Sequence, residues 1–318
     1  MSIWVRNNEI LRLTPRLNPD VNDYWMCDHG RLNTFKQVNA DDRIKAPMVM
    51  RDGELVETGW EEAIAQVVNK IHSFKKDEIA GFGSPFATNE DNYLFVKLMK
   101  SVLGTYNIDF MPHIKDGAQG ELLIREDKTP NSAGCRSVGI FPTEKGLNVN
   151  QIIKAIESHH IKFLYVIDDD IELTPDILAA FSKLDFLVVN ASNKNILTTI
   201  ADVVLPSSTY AERNGTFTNF QGRVQRIRPA VSTFDQDRAL DGLSMSRLDK
   251  FGAQNDRWMK GVKRDSRPTW RILSSIINAI NPKFKFNSVE DVFNEIASTI
   301  EDYRGLSYRE IGNKGKLI

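Results

Sequence analysis

The chain has 318 residues, 41% of them apolar, and its 41 lysines and arginines are balanced by 42 aspartates and glutamates to a formal net charge of −1. Such a composition excludes a disordered polyelectrolyte, lacks the clustered basic excess of a nucleic-acid footprint, and gives length for about two domains. Apolar runs such as Phe163 to Ile167 and Phe186 to Val189 fall far short of the ~18 residues of a membrane span, and the two cysteines, Cys27 and Cys135, are too far apart for a disulfide framework and point to a reducing compartment.

In chain order, Val5 to Arg16 reads as a hairpin turning at Asn7-Asn8, with Ile10, Leu11 and Leu13 apolar and Pro15 ending it. The run Asn22 to Arg31 follows, and its lone Cys27 beside Tyr24 and Trp25 reads, from the residues themselves, as a buried thiol. Arg43 to Trp60 predicts two short strands about Asp52-Gly53. A helix then runs to His72: Thr58 and Glu61 have capping-box spacing, and Ala63, Ile64, Val67, Val68 and Ile71 share one face. Ile79 to Ser84 is a buried strand, and Thr88 caps a helix from Asn89 to Leu103 that Gly104 stops. Gly81 and Gly83 lack GxGxxG spacing, so a tight turn explains them at least as well as a phosphate cradle. Beyond Asp109, the side chains of Asp116 and His113 are able to coordinate a metal, yet both read more simply as solvated loop residues, and Cys135 as a structural thiol.

From Asn148 the pattern is α/β. Asn148 and Gln151 open a helix carrying Ile152, Ile153 and Ile156; Phe163 to Ile167 is a strand ending at Asp168-Asp169-Asp170; Thr174-Pro175 opens a helix to Leu184; Phe186 to Val189 and Ala201 to Leu205 are further strands. Strands alternating with helices specify a parallel, Rossmann-like sheet flanked by helices, joined to a small N-terminal β module. The acidic triplet has the oxygens for a cation such as Mg²⁺, but a solvated loop is the simpler reading. Pro206 is expected to take the chain out of the sheet into a long polar loop with a turn at Asn214-Gly215. Ser232 to Arg267 is polar with little periodicity, a wrapping arm or a partner surface; two apolar helices follow, one from Trp270 to Ile280 and one capped by Ser288.

The run ADVVLPSSTYAERNGTFTNFQGRVQ, with Ala201 to Pro206, Glu212, Gly215, Thr216, Asn219 and Gly222 to Gln225 at fixed spacing, resembles a signature of the molybdopterin oxidoreductase superfamily. So do Gly83, Ser84, Asn89 and Glu90, and then Gly104, Thr105 and Asn107 to Asp109. Within that superfamily the chain is most similar to the large iron–sulfur subunit of bacterial NADH:quinone oxidoreductase, complex I, down to its closing GLSYREIGNKGKLI. The resemblance implies that residues 1–57 are a remnant of the 4Fe–4S module that accompanies a bis-pterin site, and 58–318 the molybdopterin-oxidoreductase-like α/β domain with a helical tail. It places Cys27 as fourth ligand of an incomplete 4Fe–4S site, which a cluster fills only if a partner chain supplies three cysteines. It makes Ser84, Thr105, Asn107, Asp109, Glu212, Asn214, Gly215, Thr216 and Asn219 an ancestral pterin groove, kept as a vestige. His29 stands where catalytic relatives use lysine, and neither cysteine nor serine follows Asp109 where their metal ligand stands. No molybdopterin and no catalytic residue are therefore expected, and Asp116 is the one carboxylate that would restore a metal site. The expected partners are other subunits of the peripheral arm of NADH:quinone oxidoreductase and a separate N-terminal half of a split or truncated subunit. The expected location is cytoplasmic, on the inner face of the bacterial plasma membrane and reaching it only through the complex. The alternative is a molybdenum or tungsten bis-pterin oxidoreductase of the formate dehydrogenase or oxotransferase type.

Overall fold

The computed structural model describes residues 1–120, 123–168, 171, 173–235 and 262–318. Asp169, Asp170 and most of the polar stretch from Ser232 to Arg267 lie outside the described residues.

The first hairpin pairs β1 (Ser2–Arg6) with β2 (Glu9–Thr14). Asn7 and Asn8 turn it at φ 51° and 63°, the two left-handed positions of a tight hairpin turn, which asparagine tolerates better than most residues. Short helices at Asp28–Asn33 and Lys36–Asn39 follow. Ile10, Leu13 and Val38 then form a small core with Ala211 and Val231 from far along the chain.

The main sheet has seven strands in the order β4-β3-β9-β8-β7-β5-β6. They are β3 (Met48–Arg51), β4 (Glu54–Glu57), β5 (Ile79–Gly83), β6 (Ile108–Phe110), β7 (Phe163–Ile167), β8 (Phe186–Ala191) and β9 (Val203–Pro206). Strands β5 to β9 pair in parallel, whereas β3 and β4 form an antiparallel hairpin attached through β9. Residues 48–57, counted above with the N-terminal module, thus extend the large sheet. Alternation along the strands divides the core. Phe163, Tyr165, Ile167, Phe186, Val188, Val203 and Leu205 pack with Val67 of helix Trp60–Ile71, Leu94 of helix Asn89–Val96, Leu273 of helix Thr269–Ile280 and Phe293 of helix Val289–Thr299. Leu164, Val166, Leu187, Val189 and Val204 pack with Ile152 of helix Val149–Glu157 and Phe181 of helix Pro175–Phe181.

Three local expectations change. Helix Trp60–Ile71 is capped by Gly59 rather than by a Thr58 box, and the Thr58 hydroxyl instead bonds Glu62. The helix after Thr88 relaxes into a π-helix over Lys97–Val102 before Gly104 stops it at φ 71°. Pro206 remains the last residue of β9, opposite Ala191, and the expected long loop contains a hairpin of β10 (Gly215–Thr218) and β11 (Arg223–Ile227). Alternation in Thr216-Phe217-Thr218 supplies the strand, and the turn falls at Asn219 to Gly222, not at Asn214-Gly215. The C-terminal β12 (Lys316–Leu317) adds to β11. No helix among the described residues is long and apolar enough to cross a membrane.

Candidate functional site

In this sheet β6 lies on one side of β5 and the later parallel strands on the other, so the chain order reverses between β5 and β7. The crevice outside the carboxyl ends of strands at such a reversal is where open α/β sheets bind ligands. Here the crevice is occupied by the protein's own polar side chains. Ser84, just past β5, donates its hydroxyl to the Asp168 carbonyl past β7 at 2.8 Å, and Asp168 holds a left-handed φ of 47°. Arg213, from the segment after β9, donates to Asp168 at 2.8 Å and to Asp91 at 3.0 Å, and also to the Ser208 carbonyl. Thr269 donates to Asp168 at 2.7 Å, and the Trp270 N–H donates to Asp91 at 2.6 Å. Burial opposes the Arg213 charge, but Asp168 and Asp91 outweigh it and raise its pKa.

Four consecutive polar residues, Asn89, Glu90, Asp91 and Asn92, are wholly buried at the start of their helix. Two devices make this tolerable. Thr88 and Asp91 exchange capping-box bonds, and the N-terminal end of a helix favours negative charge. The β10–β11 hairpin and Tyr308 supply partners to Asn89 and Glu90, Ser84 supplies them to Asn92, and the Asn89 amide oxygen is left without one. Thr216 donates its N–H and hydroxyl to Glu90 at 2.8 and 3.0 Å, Tyr308 donates its phenol to Glu90 at 2.9 Å, and Asn89 donates to the hydroxyls of Thr216 and Thr218 at 3.0 and 2.9 Å. Asn131 accepts from the Thr218 N–H at 2.7 Å. Burial pushes Glu90 up to about 7 against the bonds from Thr216 and Tyr308. A Cβ on Gly215 would lie 2.8 Å from Thr88 and 2.9 Å from Glu90, so the hairpin reaches this depth only with glycine there.

The other predicted groove residues do not join this cluster. Thr105 and Asn107 both donate to the Ile79 carbonyl, at 2.9 and 3.2 Å, and so tie β6 to β5. Asp109 accepts from the Val149 N–H at 3.0 Å, with its pKa raised by burial, beside an open cleft of about 690 Å³ lined in part by Phe110, Arg136, Phe141 and Asn148. Glu212 meets Arg43 in a buried two-point pair at 2.7 and 3.1 Å. Asn214 accepts from Arg226 at 3.2 Å, and Asn219 closes the hairpin turn by accepting from the Gln221 and Arg223 N–H groups. Sequence reasoning missed Asp91, Arg43 and Tyr308 as site members. Only Asp91 carried a local signal, its position three residues after the capping Thr88.

Cys27 is half-buried and caps its short helix by accepting from the Gly30 N–H at 3.3 Å, so the sulfur is not the fully buried thiol expected of a lone cysteine. Cys135 is buried in the main core and donates to the Ser84 carbonyl at 3.2 Å. His113 packs edge-on against Phe86, and Asp116 is exposed. No group of three or more His, Cys, Asp or Glu able to hold a metal occurs among the described residues. Tested against the groups that the resemblance implies, these residues do not fit. One half-buried thiol is a quarter of a four-iron ligand set; in the groove Thr216 and Glu90 are bonded to each other in a space too tight for a Cβ at Gly215, and the atoms left buried without a partner, Asn89 Oδ1, Asp168 Oδ1 and Arg213 Nε, are too few and too enclosed to seat a pterin.

Residues 43–140 and 131–239 match the molybdopterin oxidoreductase family. Residues 1–34 match the NADH-ubiquinone oxidoreductase NDSU1/NuoG-like 4Fe-4S domain. The F420-dependent formate dehydrogenase subunit alpha of Methanocaldococcus jannaschii is 30% identical over 225 residues, 66% of this chain and 27% of that protein. The F420-dependent formate dehydrogenase 1 subunit alpha of Methanococcus maripaludis is 32% identical over 118 residues, 37% of this chain and 17% of that protein. The chain thus spans less than a third of these relatives' length. Acetylene hydratase from Pelobacter acetylenicus shares the fold with a TM-score of 0.55 at 8% identity, over 95% of this chain and 70% of that one.

Proposed function

The chain belongs to the molybdopterin oxidoreductase family, and from that premise we propose that it is a non-catalytic part of an oxidoreductase assembly of the NADH:quinone oxidoreductase type, where its α/β domain scaffolds neighbouring subunits. The observation that carries this reading is the self-pairing of the groove: Glu90, Thr216, Thr218, Asn89 and Tyr308 direct their hydrogen bonds to one another. The NuoG-like 4Fe-4S match over residues 1–34, which includes Cys27, supports the same reading. In it, residues 1–57 carry the cluster-bearing module and 58–318 the scaffold, whose sheet the hairpin at residues 48–57 extends. Cys27 offers one thiolate to a 4Fe–4S cluster whose other three thiolates come from outside residues 1–318. The assembly sits on the cytoplasmic face of a bacterial plasma membrane, which this chain reaches through its partners alone. Elemental analysis tests the proposal. The chain purified alone should carry neither stoichiometric iron nor molybdenum nor tungsten, and iron should appear when it is purified with its partners.

A second reading, a molybdenum or tungsten enzyme of the formate dehydrogenase type, is favoured by the 30% identity to the M. jannaschii subunit over 225 residues. Its signature would be near-stoichiometric molybdenum or tungsten in the natively expressed chain, lost in Asp116→Ala. That result would overturn the scaffold reading.

A further inference from the structure

The open cleft of about 690 Å³ beside Asp109 lies by β6, the edge strand of the main sheet, away from the β5–β7 crevice. Arg136, on the helix Ser132–Val138, holds its guanidinium 5.2 Å from the centre of the Phe110 ring and makes no hydrogen bond or ion pair among the described residues. A ring face positions a guanidinium without taking any of its N–H donors, so the whole fork stays available. Asp109 is close enough to feel the Arg136 charge, but its two oxygens accept from the Phe110 and Val149 N–H groups at 2.9 and 3.0 Å. Phe141 is exposed on the same cleft and is pinned there. The Lys100 ammonium lies 5.1 Å from its ring centre and donates to the Gly139 and Phe141 carbonyls at 2.8 and 3.3 Å. Given a scaffold role for this chain, we propose that the cleft is the docking site for an acidic segment of a partner polypeptide, whose carboxylate takes the Arg136 fork and whose aromatic side chain lies on Phe141.

Shape and charge choose that occupant. A small-molecule site encloses most of its ligand, whereas an open cleft at a sheet edge leaves a small ligand largely in water and suits a segment that brings its own flanking contacts. Arg136 and Lys100 are the cations here, and the one carboxylate lining the cleft is turned to backbone N–H groups. The complement is an acid, and a carboxylate meets a guanidinium through two parallel N–H···O bonds. Arginine and aromatic rings carry a large share of the energy at protein interfaces. A single exposed phenylalanine is ordinary on any surface; here the ring is fixed and has an unused fork beside it. Asn148 spends its amide oxygen on the Gln151 N–H and keeps its amide hydrogens, while the Asn150 side chain bonds nothing among the described residues. Both amides suit the N–H and C=O groups of a peptide backbone.

A random peptide library displayed on phage, panned on the full chain with counter-selection on Arg136→Glu, tests this. The retained peptides should pair an aspartate or glutamate with an aromatic residue. A synthetic peptide of their consensus should bind Arg136→Glu and Phe141→Ala about tenfold more weakly than the wild type, and the wild type itself more weakly as salt is raised. Both side chains are exposed, so both variants should fold, which an unchanged thermal midpoint checks. Should Arg136→Glu fail to fold, Arg136→Gln takes its place with the same expected loss. Failure to enrich any peptide, a consensus without an acidic residue, an affinity unchanged in the Arg136 variant, or displacement of the peptide by AMP overturns the docking site. None of these outcomes touches the scaffold reading, which stands or falls on iron in the assembled complex, whereas the peptide measurement needs no iron.

Discussion

Two regions of this molecule match family models, the hairpin region that of the molybdopterin oxidoreductases and the Cys27 region that of the NuoG-like 4Fe-4S domain, and they are built differently. Beneath the β10–β11 hairpin, family-type residues are sunk in a polar core in which Arg213 pairs with Asp91 and Asp168 and Thr216 bonds Glu90, with the Asp168 Oδ1 and Arg213 Nε atoms buried without a partner. Around Cys27 the reverse holds. The sulfur is half-buried, and Tyr24 and Trp25 beside it are 70% and 60% exposed. A motif whose side chains bond inward is kept by folding, because each lost partner strands a buried polar group. A motif whose side chains face outward is kept by whatever they meet. Loss of a side chain should therefore cost stability in the first region and little in the second.

Mutations at the two places should test this, and Arg213→Ala should do so most strongly. It leaves Asp91 and Asp168 buried without their cation, which breaks a buried ion pair at a cost of about 3–5 kcal/mol. Chemical denaturation reads this directly, and a loss under 1 kcal/mol would mean that water already reaches the crevice. Gly215→Ala comes next. Its Cβ would press on Thr88 and Glu90, and overpacking of this kind costs roughly 1–3 kcal/mol, seen as a lowered midpoint with an unchanged slope. Asn219→Ala removes the acceptor that closes the hairpin turn and should cost on the order of 1 kcal/mol by the same assay. The smallest effect belongs to Cys27→Ala, within about 0.5 kcal/mol in the isolated chain because the site is half-exposed. Its consequence should instead appear as loss of iron from a complex with partner subunits. A large destabilisation at Cys27 would erase the contrast between the regions.

What was legible in the sequence was local or periodic. The caps at Thr88, Asn148, Thr174 and Ser288, the turns at Asn7-Asn8 and Asp52-Gly53, and the buried strands β5, β7 and β8 stand where residue type and spacing put them. The site is built from encounters that spacing cannot show. Arg213 meets Asp91 122 residues away, Glu212 meets Arg43 169 away, and Glu90 meets Tyr308 218 away. The hairpin at 215–227 was hidden for another reason. Gly215, Thr216 and Asn219 have loop composition, and the small residues that resemble a flexible loop are required there by close approach to Thr88 and Glu90. Resemblance singled out Thr216, Gly215 and Ser84 as a group, but chemistry distributes them differently: Ser84 braces Asp168, whereas Thr216 bonds Glu90.

The attachment of β3 to the sheet has a consequence for how the protein is made. Met48 and Val49 find their partners in Val204 and Val203, so on the ribosome one edge of an apolar strand waits for some 150 residues of further synthesis. Unpaired strand edges invite intermolecular pairing, and charges at their ends discourage it. Lys45, Arg51, Glu54 and Glu57 bracket this hairpin on both sides. We expect these surface charges to govern the yield of soluble nascent chain, a quantity to which the finished fold is indifferent.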